Sequence, residues 1–110
     1  MDEEIVRFTP DLAADESTAF GEKVEQTTLR EDPQAGAETM LVRLPPGGKI
    51  AAHSHRGPVQ HFVLRGTYES AGKTFPAGTY RLLPGRADVP EIASHDGALI
   101  LMVLDPVHSL

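Results

Sequence analysis

Three histidines lie within nine residues of one another near the middle of the chain, at positions 53, 55 and 61. Imidazole is the commonest side-chain metal ligand and also exchanges protons near neutral pH. Along an extended strand alternate side chains share a face, so His53 and His55 would point the same way. This spacing predicts that the two residues bind one transition-metal ion. His61 would line the same cavity, either as a third ligand or as a catalytic group that exchanges a proton with substrate.

A turn sequence at residues 56–58, Arg-Gly-Pro, separates the pair from the third histidine. It predicts a β-hairpin whose strands are residues 49–55 and 59–65. The register across that turn places His53 opposite His61. Directly opposed Cβ atoms in a hairpin lie roughly 5 Å apart, close enough for two imidazoles to hold one ion.

The same stretch resembles the first motif of the cupin superfamily, G-x5-H-x-H-x3-4-E-x6-G. Gly47, His53, His55 and Gly66 keep the spacing of that motif, whereas Val59 stands where it has glutamate. The resemblance implies a small antiparallel β-barrel of jelly-roll type that binds a metal ion through the motif residues. It covers roughly residues 38–104.

A second stretch of resemblance begins within residues 75–85. Gly78 and Pro84 keep the spacing of the second cupin motif, G-x5-P-x-G-x2-H. Counting straight through puts Val89 at the final histidine, whereas one deletion puts Asp88 there. We favour Asp88, because the proline that follows Val89 then falls where small cupins often carry one. Asp88 would add a carboxylate to the histidines, a set that suits non-haem iron.

The remaining sequence predicts the strands that position this site. Short runs of β-forming residues are separated by Gly and Pro turns, and no window has a helical period. Both features indicate an all-β antiparallel barrel with under a tenth of its residues helical. The predicted strands outside the hairpin cover residues 23–30, 38–44, 67–70, 73–75, 79–83 and 98–104, with 5–8 as a short strand or arm and 71–72 as a tight turn. The apolar run 98–104 predicts a strand buried on both faces.

Length and composition restrict the class of protein. A chain of 110 residues indicates a single domain, 1–110, with an N-terminal arm and outer strands at 1–37 and the barrel core at 38–104. There is no cysteine, and the formal net charge of −6 argues against nucleic acid and anionic membranes as partners. No leader or membrane span is evident, so we expect a cytoplasmic protein. We also expect a homodimer, because the 5–8 arm and the 23–30 strand are edges that need covering.

Two functions compete. The run from His53 to Val59 resembles the H-x-H-x-G-P-V pattern of dioxygenases that cleave β-diketones, which use three histidines on ferrous iron. The third comes from their second motif, so His61 or Asp88 would have to complete the site here. The alternative is a non-catalytic sensor of a metal or small molecule, since residues 75–85 resemble the cupin domain of zinc-binding anti-sigma factors. Fe, Zn, Ni and Mn all remain candidate ions. His95 and His108 are expected to be solvated.

Overall fold

The fold consists of antiparallel β-strands throughout the part of the chain that the structure describes. The structure, a computed structural model, describes residues 4–8, 15–16, 23–86 and 88–105. Its strands are β1 (Asp15–Glu16), β2 (Glu25–Asp32), β3 (Ala37–Leu44), β4 (Gly48–Ile50), β5 (His53–Ser54), β6 (Val59–Ser70), β7 (Lys73–Pro76), β8 (Tyr80–Leu83), β9 (Asp88–Val89), β10 (Ile92–Ser94) and β11 (Ala98–Leu104). Within these ranges there is no helix, and hence none that could cross a membrane. The predicted all-β barrel fold is confirmed.

One wall of the barrel contains β2, β3, β11, β6 and β8, side by side. Ala98, Ile100 and Met102 on β11 are buried in the core. The alternate residues of β11 are only half-buried: Leu99, Leu101 and Val103. The prediction that residues 98–104 are buried on both faces therefore holds for the inner face alone, because the described strands add no second layer outside this wall.

Strand β6 runs from this wall into a second wall, which it forms with β7, β10 and β4, and it bends at Gly66. Residues 59–66 pair with β11, whereas residues 67–70 pair with β7 and partly with β10. Gly66 has a φ of 72°, and a Cβ there would collide with the carbonyl oxygen of Gly97. The register against β11 also shifts beside this corner. Glycine therefore permits the bend that carries β6 from one wall to the other.

The tight turn predicted at Ala71 and Gly72 is present between β6 and β7. Ser70 pairs with Lys73 across it, and the two turn residues have φ values of 53° and 76°. Positive φ at both central positions is typical of a type I′ turn, whose twist matches that of the strands it joins.

The hairpin predicted across residues 56–58 does not form. Strand β5 pairs with β9, and β4 pairs with β10. Residues 59–62 of β6 are hydrogen-bonded to β11 on one edge and to β8 on the other. Neither edge is free for residues 49–55, so the predicted opposition of His53 and His61 is wrong.

The N-terminal segment lies beside β2 at the edge of the same wall. Residues 4–8 form an arm without strand pairing, and Arg7 Nε donates to the carbonyl oxygen of Leu29 at 3.1 Å. Ile5, Val6 and Phe8 are exposed. Among the residues that the structure describes, strand β2 is paired on its outer edge at two positions, by β1.

Candidate functional site

A cavity of about 260 Å³ lies between the two walls of the barrel. Strands β6 and β11 supply one side of it, and the facing residues come from β4, β5 and β10 and the segment after β5. Its lining is apolar apart from three histidines. The lining residues are Ile50, His53, His55, Val59, His61, Ile92, Met102 and Leu104. The fold therefore collects the three clustered histidines in one cavity, by a strand pairing other than the predicted hairpin.

The rings of His53 and His55 are held with their Nε2 atoms 3.0 Å apart. Nδ1 of His53 lies 2.8 Å from the carbonyl oxygen of Ala51 and donates its hydrogen there. In the neutral ring this leaves a lone pair on Nε2 of His53. The two rings meet edge to face, with an interplanar angle of 89°. Nitrogens that converge in this way can share one hydrogen or ligate one ion.

This pair of nitrogens fits a transition-metal ion. At the usual Zn–N distance of about 2.0–2.1 Å, an ion would see two nitrogens with this separation at roughly 91–97°, close to the angle between neighbouring ligands of an octahedral site. Ligation requires neutral imidazole. The pKa of His55 is lowered, first by burial and then by the charge of His53, which favours its neutral form. No group of three or more ligating side chains occurs within the described ranges. Within the described part of the chain, the candidate donor set at this point is therefore His53 and His55.

His61 is anchored by a buried tyrosine and an arginine. Its Nδ1 lies 2.9 Å from the hydroxyl of Tyr68, and Arg81 Nη1 donates to the same hydroxyl at 2.9 Å. Tyr68 is fully buried, and the guanidinium of Arg81 packs over the ring of Phe75 at 4.1 Å from its centroid. Arg81 faces inward because the β6–β8 pair places it opposite His61.

These contacts determine which nitrogen of His61 carries the hydrogen. Burial raises the pKa of Tyr68, so its hydroxyl stays protonated. Arg81 can only donate, which leaves the hydroxyl hydrogen for Nδ1 of His61, the acceptor that the described residues provide. A neutral imidazole that accepts at Nδ1 carries its hydrogen on Nε2. His61 thus presents an N–H donor to the cavity, where a metal ligand would need a lone pair.

His61 is also kept uncharged. Its pKa is lowered to about 3, first by burial, then by the charge of Arg81 and then by His55 and His53. An imidazole with that pKa gains no proton near neutral pH, and its Nε2 already carries a hydrogen. The geometry therefore favours hydrogen-bond donation by His61 over the proton uptake that its ordinary pKa suggests.

Val89, and not Asp88, lies beside the histidine pair. In the β5–β9 pair Val89 is opposite His53, and Asp88 is opposite Ser54. Val89 is buried, whereas Asp88 and Ser54 are exposed. The preferred alignment of the second motif was wrong, because neighbouring residues of a strand point to opposite faces and only Val89 points inward. Together with Val59, valine occupies both positions where the cupin motifs have glutamate and the last histidine.

Of the other histidines, His95 does not line the cavity. His95 is exposed and contacts the adjacent Asp96 at 2.9 Å, and His108 lies outside the described residues. The site residues predicted from the sequence did not include Tyr68 and Arg81. The signal for Arg81 is its position two residues before the buried Leu83 on one strand, which gives both residues the same face.

Comparison with known proteins supports the cupin resemblance. A sequence profile of the family described as the ChrR cupin-like domain matches residues 6–108. No curated protein shows significant similarity to the chain.

Solved structures share the fold at low sequence identity. A candidate acetylacetone dioxygenase from Methylibium petroleiphilum has a TM-score of 0.83 and 23% identity over 94% of this chain and 77% of that chain. An acetylacetone dioxygenase from Acinetobacter johnsonii has a TM-score of 0.78 and 20% identity over 96% of this chain and 74% of that chain. The complex of Rhodobacter sphaeroides SigE with the anti-sigma factor ChrR has a TM-score of 0.73 and 22% identity over 90% of this chain and 52% of the matched chain. At these identities the likeness shows the fold and no more.

Proposed function

Because this chain belongs to the ChrR cupin-like family and holds two histidine nitrogens 3.0 Å apart in an apolar cavity, we propose that it binds a transition-metal ion and acts on a small oxygen-bearing organic molecule. The convergence of His53 and His55 is the observation that carries this proposal. The shared fold with structures described as acetylacetone dioxygenases supports an iron-dependent dioxygenase as the reaction class.

The surrounding residues would hold such a substrate from a second side. Bound ferrous iron would supply the redox capacity for chemistry with O₂. Nε2–H of His61 donates a hydrogen bond to a substrate oxygen, and Tyr68 and Arg81 keep that hydrogen on Nε2. The apolar lining, including Val59 and Met102, keeps water out of the cavity. A substrate with adjacent oxygens could use the metal positions that the chain itself does not fill.

The second candidate is a non-catalytic sensor. With valine at positions 59 and 89, the described residues offer two histidines as metal ligands. Catalytic zinc sites have three protein ligands, so this smaller set favours a role without catalysis. The fold shared with the SigE–ChrR complex is consistent with this role. In that case the ion would be zinc, and its loss or gain would alter how the domain contacts a partner.

Metal content tests the site itself. Purified protein is reconstituted without oxygen with ferrous iron or zinc, desalted and measured by elemental analysis. His53→Ala and His55→Ala should each lose most of the metal, because each removes half of the donor set. His95→Ala is the matched control and should keep it, since His95 is exposed and away from the cavity. Equal metal in all variants would contradict the assignment.

Oxygen consumption separates the two candidate functions. The iron-loaded protein is mixed in turn with diketones, catechols and thiols in an oxygen electrode. Uptake with one class, abolished by His53→Ala, supports the dioxygenase. A protein that releases iron but retains zinc through dialysis, with no uptake for any class, supports the sensor instead.

A further inference from the structure

The outer face of the β3–β11–β6–β8 wall is apolar and open. Tyr80 is paired with Phe62, and their rings lie 4.8 Å apart on this face. The exposed fractions of its large side chains are 37% for Phe62, 47% for Leu64, 49% for Tyr80 and 58% for Leu82. Leu101 and Val103 of β11 continue the surface and are half-buried. The four strands present a surface of roughly 20 Å by 20 Å. Exposed apolar patches of this size mark interaction sites.

Charged side chains lie at opposite ends of this face. Arg43 and Arg65 flank Leu99 at one end, each being its cross-strand partner. Asp105 lies at the other end, where Gln60 Nε2 donates to its Oδ1 at 3.0 Å. Within the described ranges neither arginine has an ion-pair partner. The face is therefore positive at one end, apolar in the middle and negative at the other end.

We propose that a second copy of this chain binds to this outer face, related to the first by a two-fold axis. Leu99 and Asp105 are equally distant along β11 from a point between Leu101 and Val103. A two-fold axis that lies in the interface, perpendicular to β11 and level with that point, places the arginine end of each copy over Asp105 of the other. The pattern is self-complementary, as an isologous interface requires.

The charge of the chain favours this face over others as the contact between copies. The formal net charge is −6, so two copies repel one another wherever acidic surfaces meet. On β3, β11, β6 and β8 the outer face carries Arg43 and Arg65 against Asp105, and Glu25 of the adjoining β2 lies opposite Arg43, so this face is close to neutral rather than acidic. Copies that meet here bury the exposed apolar side chains and pair charges of opposite sign. This surface is distinct from the arm and the edge strand on which the sequence bases a dimer.

Sedimentation of the full chain at micromolar concentration tests the proposal. The wild-type protein should have twice the 11.9 kDa mass of one chain. Leu82→Glu and Leu64→Glu should shift it to the monomer, because each buries a charge against the apolar surface of the other copy. Both side chains point outward, so these variants should fold, which circular dichroism checks. Lys73→Glu on β7 is the control, being an exposed change outside the face that leaves the dimer intact.

Charge reversal tests the predicted orientation. Arg65→Glu and Asp105→Arg should each weaken the dimer by at least tenfold, and the double variant should recover most of that loss. A monomeric wild-type protein overturns the proposal. So does a dimer that survives Leu82→Glu and Leu64→Glu but dissociates when Ile5, Val6 and Phe8 are replaced by serine.

Discussion

Val89 lies directly opposite His53 in the β5–β9 strand pair, with its side chain buried on the side of the candidate metal site. Its neighbour Asp88 points the other way, into solvent. The place from which β9 could provide a third ligand is thus occupied by a methyl-bearing side chain. Val89 is thus one of the two positions, with Val59, at which a single substitution could add a ligand to the two histidines.

Replacing Val89 with histidine should strengthen metal binding. The new imidazole would start directly across the strand pair from His53, within reach of a shared ion. The affinity should rise by more than roughly tenfold, the effect that one hydrogen-bond partner of a ligand has in known metal sites. Asp88→His is the control, because it adds the same group on the exposed face. Titration calorimetry with zinc measures both, and equal gains would show that the register is not as described.

Tyr68→Phe should destabilise the protein and remove the hydrogen bond that keeps the hydrogen of His61 on Nε2. The change removes one buried hydroxyl and leaves both His61 Nδ1 and Arg81 Nη1 without that partner. An unsatisfied buried group costs about 1–3 kcal/mol of unfolding free energy. Tyr80→Phe removes an exposed hydroxyl that donates to Gln60 and should cost under about 0.5 kcal/mol. Urea denaturation gives the free energies, and ¹⁵N NMR of the ring shows whether His61 keeps its hydrogen on Nε2.

Acid should destabilise the metal-free protein partly through His61. Its pKa is lowered from 6.5 to about 3 in the folded state, so between these values the unfolded chain binds a proton that the folded chain does not. The free energy of unfolding therefore decreases as the pH falls below about 6.5. By pH 5 the contribution lost is at most about 2 kcal/mol for one such group.

His61→Asn isolates this contribution, since Asn Oδ1 can accept the Tyr68 hydrogen bond but does not titrate. Urea denaturation at pH 7.5 and pH 5, with chelator present, measures the pH dependence of both proteins. The variant should lose less stability between the two pH values than the wild type, whatever its stability at pH 7.5. Identical losses would mean that His61 is not kept neutral by burial.

Gly66→Ala should be far more damaging than Gly72→Ala. The two glycines have nearly the same φ, 72° and 76°, so both substitutions pay the left-handed backbone penalty of about 1–2 kcal/mol. A Cβ at Gly72 meets nothing within 4 Å, whereas one at Gly66 runs into the backbone of Gly97 and Ala98. Thermal unfolding should show a small shift for Gly72→Ala and a loss of several degrees more, or failure to fold, for Gly66→Ala. Equal decreases in melting temperature for the two variants would mean that the bend of β6 does not require glycine at position 66.

The sequence alone determined the class of fold and the three histidines that meet in the cavity. Glycine and proline positions delimit short strands, and the two-residue period of a strand is a local property that can be read without tertiary contacts. The turn at Ala71 and Gly72 was predictable for the same reason. The shared face of His53 and His55 also follows from their spacing, and the spacing of the glycines around them identified the cupin motif.

Only the tertiary structure decided the partners of those residues. Strand pairing depends on which edges remain free after β6 has bonded to β11 and β8, and no local pattern records that competition. This is why β5 pairs with β9 and Val89 replaces Asp88 beside His53. The role of His61 was likewise undetermined, because its tautomer and pKa depend on Tyr68 and Arg81, which are distant in sequence and meet it only when β8 packs beside β6. Burial and hydrogen-bond partners are properties of the assembled barrel, whereas the alternation of side chains along a strand is present before the barrel forms.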